Sequence, residues 1–98
     1  MSGTAISSAT LDPRRRRALF RAWHRGMREM DILLGKFSDA SLATMSDAEM
    51  DEFEVLLELP DRDLLGWLTG EFQLPPEQDT PLWRKIAAFH THGGPINV

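Results

Sequence analysis

Apolar side chains in this chain recur at the spacing of an α-helix, and the clearest case follows Gly26. At 100° per residue, Met30, Leu33, Leu34 and Phe37 fall on one side together with that glycine. The opposite side carries charged residues and one isoleucine, namely Arg25, Arg28, Glu29, Ile32 and Lys36. The pattern predicts a helix from Met27 to Phe37 with a buried stripe, and it indicates that the preceding helix ends at Gly26.

The segment before Gly26 also has helical spacing. Asp12 followed by Pro13 is a helix-start signal, because aspartate accepts hydrogen bonds from first-turn amides and proline is tolerated at the first helical position. The large apolar residues that follow predict the buried face of this first helix, which comprises Leu19, Phe20, Trp23 and Met27.

Three more helices are predicted after a connector at residues 38–41. Ser46 and Glu49 have the spacing of a capping box, so they begin the third helix. The fourth begins at Pro60 with Asp61 or Asp63, and the fifth begins at Thr80-Pro81 after a loop at residues 74–79. The predicted apolar faces are Met50, Phe53, Leu56 and Leu57 for the third helix, Leu64, Leu65, Leu68 and Phe72 for the fourth, and Leu82, Ile86 and Phe89 for the fifth.

No alternating apolar run is long enough to predict a strand. The sequence therefore predicts an all-α fold, a small compact bundle of about five helices. The helical domain is expected over residues 12–92, with flexible segments at residues 1–11 and 93–98.

Composition argues against an enzyme. Ninety-eight residues suit one domain with a modest core, which leaves little room for a deep catalytic cavity. Cysteine is absent, so thiolate metal sites and cysteine nucleophiles are excluded. His24, His90 and His92 lack the spacing of a metal site, and no glycine-rich phosphate loop follows a strand. We expect no catalytic residue, no metal and no intrinsically bound cofactor.

Charge is divided unevenly along the chain. Residues 1–37 carry eight basic and three acidic side chains, net +5, whereas residues 38–98 carry three basic and twelve acidic ones, net −9. The acidic part would repel phosphate, which argues against nucleic acid as the partner. There is also no apolar run long enough to span a membrane and no secretory signal pattern, so a cytoplasmic location is expected.

Two charged clusters each allow two interpretations. Arg25 and Glu29 are spaced for an i,i+4 ion pair beside a helix-ending Gly26. Alternatively they form a recognition surface, in which arginine offers a planar fork of donors, glutamate accepts amides and glycine lets a partner approach closely. The run Arg14–Arg17 lies at the positive end of the first helix, so it is either solvated or compensated by an acidic partner.

One stretch of this chain resembles the signature of a known family of small helical proteins. It reads Arg25-Gly26-x-x-Glu29-x-Asp31-x-Leu33-Leu34-x-x-Phe37. These are the succinate dehydrogenase assembly factors that promote covalent flavin attachment, the bacterial FAD assembly factors and the related mitochondrial assembly factor 2 proteins. The later string Asp-Leu-Leu-Gly-Trp-Leu at residues 63–68 resembles a segment of the same family. The resemblance spans about residues 14–92.

The resemblance implies a non-enzymatic chaperone that binds the flavoprotein subunit of succinate dehydrogenase, with that of fumarate reductase as a second candidate client. A client histidine becomes joined to the 8α carbon of FAD, so the flavin belongs to the client. Arg25, Gly26 and Glu29 are the implied partner-binding residues, with Arg28 and Asp31 as neighbours. The implied protein is bacterial and cytoplasmic, a monomer when free, and neither membrane-inserted nor bound to nucleic acid.

Two other function classes remain open from the residues alone. One is an antitoxin-like or other helical binding module with an unrelated partner. The other is a nucleic-acid-binding helical protein, suggested by the basic residues Arg14–Arg17, Arg21, Arg25 and Arg28.

Overall fold

A computed structural model of the protein describes residues 11–92, with side chains described as far as His90. Within that range the helices are α1 (Pro13–Trp23), α2 (Arg28–Ser41), α3 (Asp47–Leu57), α4 (Asp61–Thr69) and α5 (Pro81–His92). Short 3-10 turns at Leu42–Thr44 and Pro76–Gln78 precede α3 and α5. Residues 11–92 contain no strand, so the predicted all-α fold of five helices is confirmed. Residues 1–10 and 93–98, predicted to be flexible, lie outside the described residues, whereas Leu11 is buried in the core.

Helix starts follow the local signals in the sequence. The Asp12 carboxylate accepts a hydrogen bond from the backbone N–H of Arg15 at 2.8 Å, with Pro13 in the first turn of α1. At the start of α3, the Ser46 hydroxyl accepts from the N–H of Glu49, and the Glu49 carboxylate accepts from the N–H of Ser46. Both bonds of the predicted capping box are therefore present, and they satisfy amides that the helix itself leaves without partners.

The α2 helix is the central element of the bundle. It packs against α1, α4 and α5, and α3 packs against α1 and α5. Its core-facing side chains are buried as predicted, namely Met30, Leu33, Leu34 and Phe37. A second side of α2 is buried at Gly35, where a Cβ would lie 2.3 Å from the Trp23 indole. Glycine at this position lets the tryptophan at the end of α1 lie directly on the α2 backbone.

The second helix is longer than predicted. The connector expected at residues 38–41 is helical, and α2 ends at Ser41 instead of Phe37. Ser38 is fully buried, and its hydroxyl donates to the carbonyl of Leu34 at 2.8 Å. A serine that bonds back to the preceding turn is compatible with a helix interior, so the turn-like composition of this stretch was misleading.

The predicted buried face of the first helix is partly wrong. Phe20 is 63% exposed, whereas Ala18, Leu19 and Ala22 are the buried residues of α1. Small alanines face the bundle because they allow close approach between helices, and the prediction considered only large apolar side chains. Met27 lies beyond α1, at the N-cap of α2, where it packs partly against the core.

The fourth helix ends earlier than the apolar spacing indicates. It stops at Thr69, and Gly70 follows with φ of +82°. The chain then folds back, so the N–H of Phe72 donates to the carbonyl of Gly66 at 3.0 Å. The Phe72 ring lies where a Cβ on Gly66 would be, at 2.2 Å. Phe72 therefore lies beyond α4, packed against it.

Candidate functional site

The loop between α1 and α2 contains the signature residues, and it is built by a reversal of the backbone at Gly26. The N–H of His24 donates to the carbonyl of Arg21 at the end of α1. Gly26 then has φ of +95°, a left-handed conformation that costs an L-residue free energy but is open to glycine. Met27 precedes α2 with extended backbone, and its carbonyl accepts from the N–H of Asp31.

Asp31 holds this loop against the first turn of α2. Its Oδ1 atom accepts a hydrogen bond from the backbone N–H of Arg25 at 2.5 Å. The bond joins a residue before Gly26 to a residue after it, six positions apart along the chain. It therefore stabilises the reversed backbone at Gly26. A carboxylate in the first turn is also favourable because it lies at the positive end of the helix dipole.

The Arg25 side chain points into the protein, where all its donor groups are used. Its Nε donates to the Asp61 carboxylate at 2.7 Å, while Nη1 and Nη2 donate to the carbonyls of Leu57 and Leu59, each at 2.5 Å. Only 9% of the Arg25 side chain and 15% of the Asp61 side chain are exposed. Arg25 therefore ties the loop to the turn between α3 and α4 instead of pairing with Glu29.

The other three predicted site residues lie on the outer side of the loop. Gly26 is exposed, and a Cβ built on it meets no atom within 4 Å. Arg28 is exposed and Glu29 is half-buried, and neither side chain forms an ion pair or hydrogen bond with residues 11–92. Ile32, one turn further along α2, is half-buried. The five predicted site residues thus divide into two that hold the loop, Arg25 and Asp31, and three that face outward, Gly26, Arg28 and Glu29.

The arginine run of α1 also divides between internal and outward positions. Arg14 donates to Glu54 at 2.8 Å and to Asp51 at 2.5 Å, and Arg21 donates to Glu58 at 2.7 Å. The later arginine of α1 therefore pairs with the later carboxylate, so α1 and α3 run in the same direction. The basic side chains of α1 face acidic side chains of α3 and of its C-cap. The hydrogen bonds from Arg14 lower the pKa of the Glu54 carboxyl below its usual range.

The next arginine also makes internal contacts. Arg15 pairs with Asp12 at 2.6 Å and donates to the carbonyls of Leu42 and Met45. Arg16 and Arg17, by contrast, are exposed and form no ion pair within residues 11–92. Neither interpretation therefore applies to Arg14 and Arg15, which hold the fold together, and both stay open for Arg16 and Arg17.

Sequence reasoning missed Asp61 as a partner of the signature. Asp61 was predicted only as a helix start, which it also is, since α4 begins there. It lies 36 positions from Arg25 along the chain, and no local pattern connects two such distant residues. The only available signal was that a buried arginine requires a carboxylate and carbonyl groups from elsewhere in the chain.

Residues 11–92 were also compared with the patterns of a metal site and of a membrane-spanning helix. No three histidine, aspartate or glutamate side chains within residues 11–92 cluster as metal ligands would. None of the helices in that range combines the length and the apolar character needed to cross a bilayer.

Comparison with known proteins connects this loop with a described family. Residues 16–90 match the family model described as the flavinator of succinate dehydrogenase, and this range includes all five predicted site residues. The chain belongs to this family. No solved structure gave a match.

Individual relatives of the chain include bacterial and mitochondrial proteins. The FAD assembly factor SdhE of Acetobacter pasteurianus is 44% identical over 85 residues, covering 87% of this chain and 78% of the relative. The mitochondrial succinate dehydrogenase assembly factor 2 of Dictyostelium discoideum is 28% identical over 82 residues, covering 84% and 57%. That of Meyerozyma guilliermondii is 33% identical over 70 residues, covering 71% and 52%. The chain thus spans little more than half the length of these two mitochondrial relatives.

Proposed function

We propose that this protein is an assembly factor that binds the flavoprotein subunit of succinate dehydrogenase and promotes covalent attachment of FAD to a histidine of that subunit. The observation that carries the proposal is the loop at Gly26, in a chain that belongs to the flavinator family. The loop presents an open backbone beside Arg28 and Glu29, two charged groups that form no ion pair or hydrogen bond through their side chains within residues 11–92. The flavoprotein subunit of fumarate reductase is a second client of the same kind.

The loop is suited to docking because contacts on its inner side hold its backbone in place. Arg25 and Asp31 fix its backbone through the contacts with Asp61 and across Gly26. A preorganised surface loses less conformational entropy when a partner binds, so more of the contact energy appears as affinity. Arg28 can donate to carboxylates or carbonyls of the client, and Glu29 can accept from its amides.

The protein acts in this proposal by selecting one conformation of the client. Binding the arrangement in which the client histidine meets the flavin, more tightly than other arrangements, raises the population of that arrangement. The covalent bond then forms within the client, and the assembly factor needs no catalytic group of its own. FAD belongs to the client, and the protein works in the bacterial cytoplasm as a monomer when free. The absence of a glycine-rich phosphate loop is consistent with this division of roles.

The experiment is a comparison of two arginine substitutions at matched glycines. Gly26 and Gly70 are both exposed, both have positive φ, and a side chain at either meets open space. Both substitutions therefore impose similar backbone strain, but only Gly26→Arg places a long charged side chain in the docking loop. Cells that lack the gene receive the wild type, Gly26→Arg or Gly70→Arg, and covalent flavin on the denatured flavoprotein is read by fluorescence in a gel.

We expect the flavin band to be restored by the wild type and by Gly70→Arg but not by Gly26→Arg. Glu29→Ala tests the adjacent charge and should reduce the band. An unchanged band in cells without the gene would remove the proposed function. Equal restoration by both arginine variants would instead show that the docking surface lies elsewhere on the protein.

A nucleic-acid role has less support from the contacts of the basic residues. Of the seven arginines that suggested it, Arg14, Arg15, Arg21 and Arg25 bond to groups of the protein itself. The three others are Arg16, Arg17 and Arg28. Because four of these seven arginines are engaged within residues 11–92, which are acidic beyond residue 37, a protein partner is favoured over a polyanion.

A further inference from the structure

The outward face of α1 is a second exposed surface that the loop at Gly26 does not include. Phe20 is 63% exposed, the largest exposure of any large apolar side chain within residues 11–90. Its ring stacks on the imidazole of His24, with centroids 4.0 Å apart and planes 15° apart. Removal of an aromatic side chain from water is favourable, so a phenylalanine held at the surface in this way is a candidate contact for a partner.

Arginines surround this phenylalanine. The ring shares an open face of α1 with Pro13, Arg16, Arg17 and Arg21. Arg21 forms an ion pair with Glu58, but Arg16 and Arg17 form no ion pair within residues 11–92. The face therefore combines two guanidinium groups that form no ion pair within residues 11–92 with one exposed ring, on two successive turns of a single helix.

We propose that this face of α1 binds an acidic segment of the flavoprotein client in which a carboxylate lies close to an apolar side chain. The inference rests on the proposed function and adds a second contact to it. Charge complementarity supports the assignment, because two unpaired arginines attract carboxylates and can hold them through paired hydrogen bonds. The exposed ring of Phe20 would cover the apolar side chain of the same segment.

The surroundings of the face favour a short acidic protein segment over a nucleic acid. Carboxylates of α3 at Asp51 and Glu54, and of Glu58 just after it, lie alongside α1 and would repel a continuous chain of phosphates. A short segment with one or two carboxylates brings far fewer negative charges near them than a chain of phosphates does. The face also leads directly to the docking loop, since His24 precedes Gly26 by two residues, so one client surface can contact both.

The test measures affinity for the purified flavoprotein subunit, taken from cells that lack this gene, by isothermal titration calorimetry. Arg16→Ala with Arg17→Ala removes the two free charges, and Phe20→Ser removes the ring. The matched controls are Arg84→Ala with Lys85→Ala, which removes two positive charges from α5, and Phe20→Leu, which keeps an apolar side chain. Circular dichroism melting of each variant checks that the fold is retained.

We expect the double arginine variant and Phe20→Ser each to weaken binding about tenfold or more, because charged and aromatic contacts dominate such interfaces. Both controls should stay within about twofold of the wild type. Raising the salt concentration from about 50 mM to about 500 mM should weaken wild-type binding more than binding of the double arginine variant.

Three results would overturn the inference, and they are distinguishable from one another. If Gly26→Arg abolishes binding while the α1 variants bind like the wild type, the face of α1 is not a contact but the proposed function stands. If the wild type does not bind the flavoprotein at all, the proposed function fails and the inference fails with it. If a fluorescent single-stranded RNA binds the wild type and the α1 variants lose that binding but keep the flavoprotein, the face serves nucleic acid.

Discussion

Arg25 and Asp61 form a largely buried ion pair, 2.7 Å between Nε and Oδ1, that joins the loop after α1 to the start of α4. The same guanidinium donates to two carbonyls of the turn between α3 and α4, at Leu57 and Leu59. These carbonyls follow a helix end, where backbone acceptors lack partners within the helix. Arg25 thus satisfies a charge and two backbone groups at once, and it positions the loop that carries Gly26.

Replacement of Arg25 is therefore expected to lower the stability of the protein. Arg25→Ala removes the donor of Asp61 and of the Leu59 carbonyl and leaves the Leu57 carbonyl with only a 3.3 Å bond from Arg21, at a cost of about 2–4 kcal/mol in the free energy of unfolding. Arg28→Ala, which removes an exposed arginine three residues away, should cost less than about 0.5 kcal/mol. Urea denaturation followed by circular dichroism measures both values. Similar values for the two variants would mean that the Arg25 contacts do not support the fold.

Asp31→Ala should destabilise the loop, and Asp31→Asn should largely preserve it. Alanine removes the oxygen that accepts the N–H of Arg25, whereas asparagine keeps an oxygen in the same place. We expect a loss of about 1–2 kcal/mol for alanine and clearly less for asparagine. Hydrogen exchange of the Arg25 amide reports the bond directly, since it should become faster in the alanine variant alone. Equal exchange in both variants would contradict this role of the Asp31 side chain.

Local signals predicted the helix starts, and they succeeded for a physical reason. Asp12 with Pro13, and Ser46 with Glu49, act within one helical turn, so a short window of sequence contains both partners. The signature itself was also recognised as a functional candidate from a short window. Gly26 and the neighbouring Arg28 are exposed and Glu29 is half-buried, and their role in partner binding stays a prediction.

The role of Arg25 could not be predicted from the sequence, because its partners come from distant parts of the chain. An i,i+4 pair with Glu29 was the only local option, and the tertiary contacts with Asp61 and the α3–α4 turn replaced it. Phe20 was placed in the core for a related reason. Periodicity of large apolar residues cannot tell that Ala18 and Ala22 form the contact face when a neighbouring helix approaches closely.

Gly35→Ala is expected to be destabilising although alanine is the better helix former. A Cβ at this position would lie 2.3 Å from the Trp23 indole, so either the ring or the helix has to move. We expect a loss of about 1–3 kcal/mol in the free energy of unfolding. The control is the same substitution in a Trp23→Ala background, where the space is free and the cost should largely disappear. An equal cost in both backgrounds would show that the indole is not the obstacle.

His90 should make the stability of the protein depend on pH between about 5.5 and 7.5. Burial lowers the pKa of its imidazole from the ordinary value of 6.5, the nearby Lys36 acts in the same direction, and a hydrogen bond with the Leu33 backbone opposes them. The buried Nε2 atom has no hydrogen-bond partner within residues 11–92, so a proton there would create an unpaired charge.

The direction in which the free energy of unfolding changes with pH depends on which state takes up the proton first. As pH falls through 6.5 the unfolded chain is protonated before the folded one, so the free energy of unfolding decreases until the lower pKa of the folded state is passed. Stability should therefore be highest above this window, where the imidazole is neutral in both states. Denaturation at a series of pH values from about 7.5 to about 5.5 should show a smaller decrease for His90→Leu than for the wild type. Parallel curves would mean that His90 titrates alike in both states and that its burial has no effect on stability.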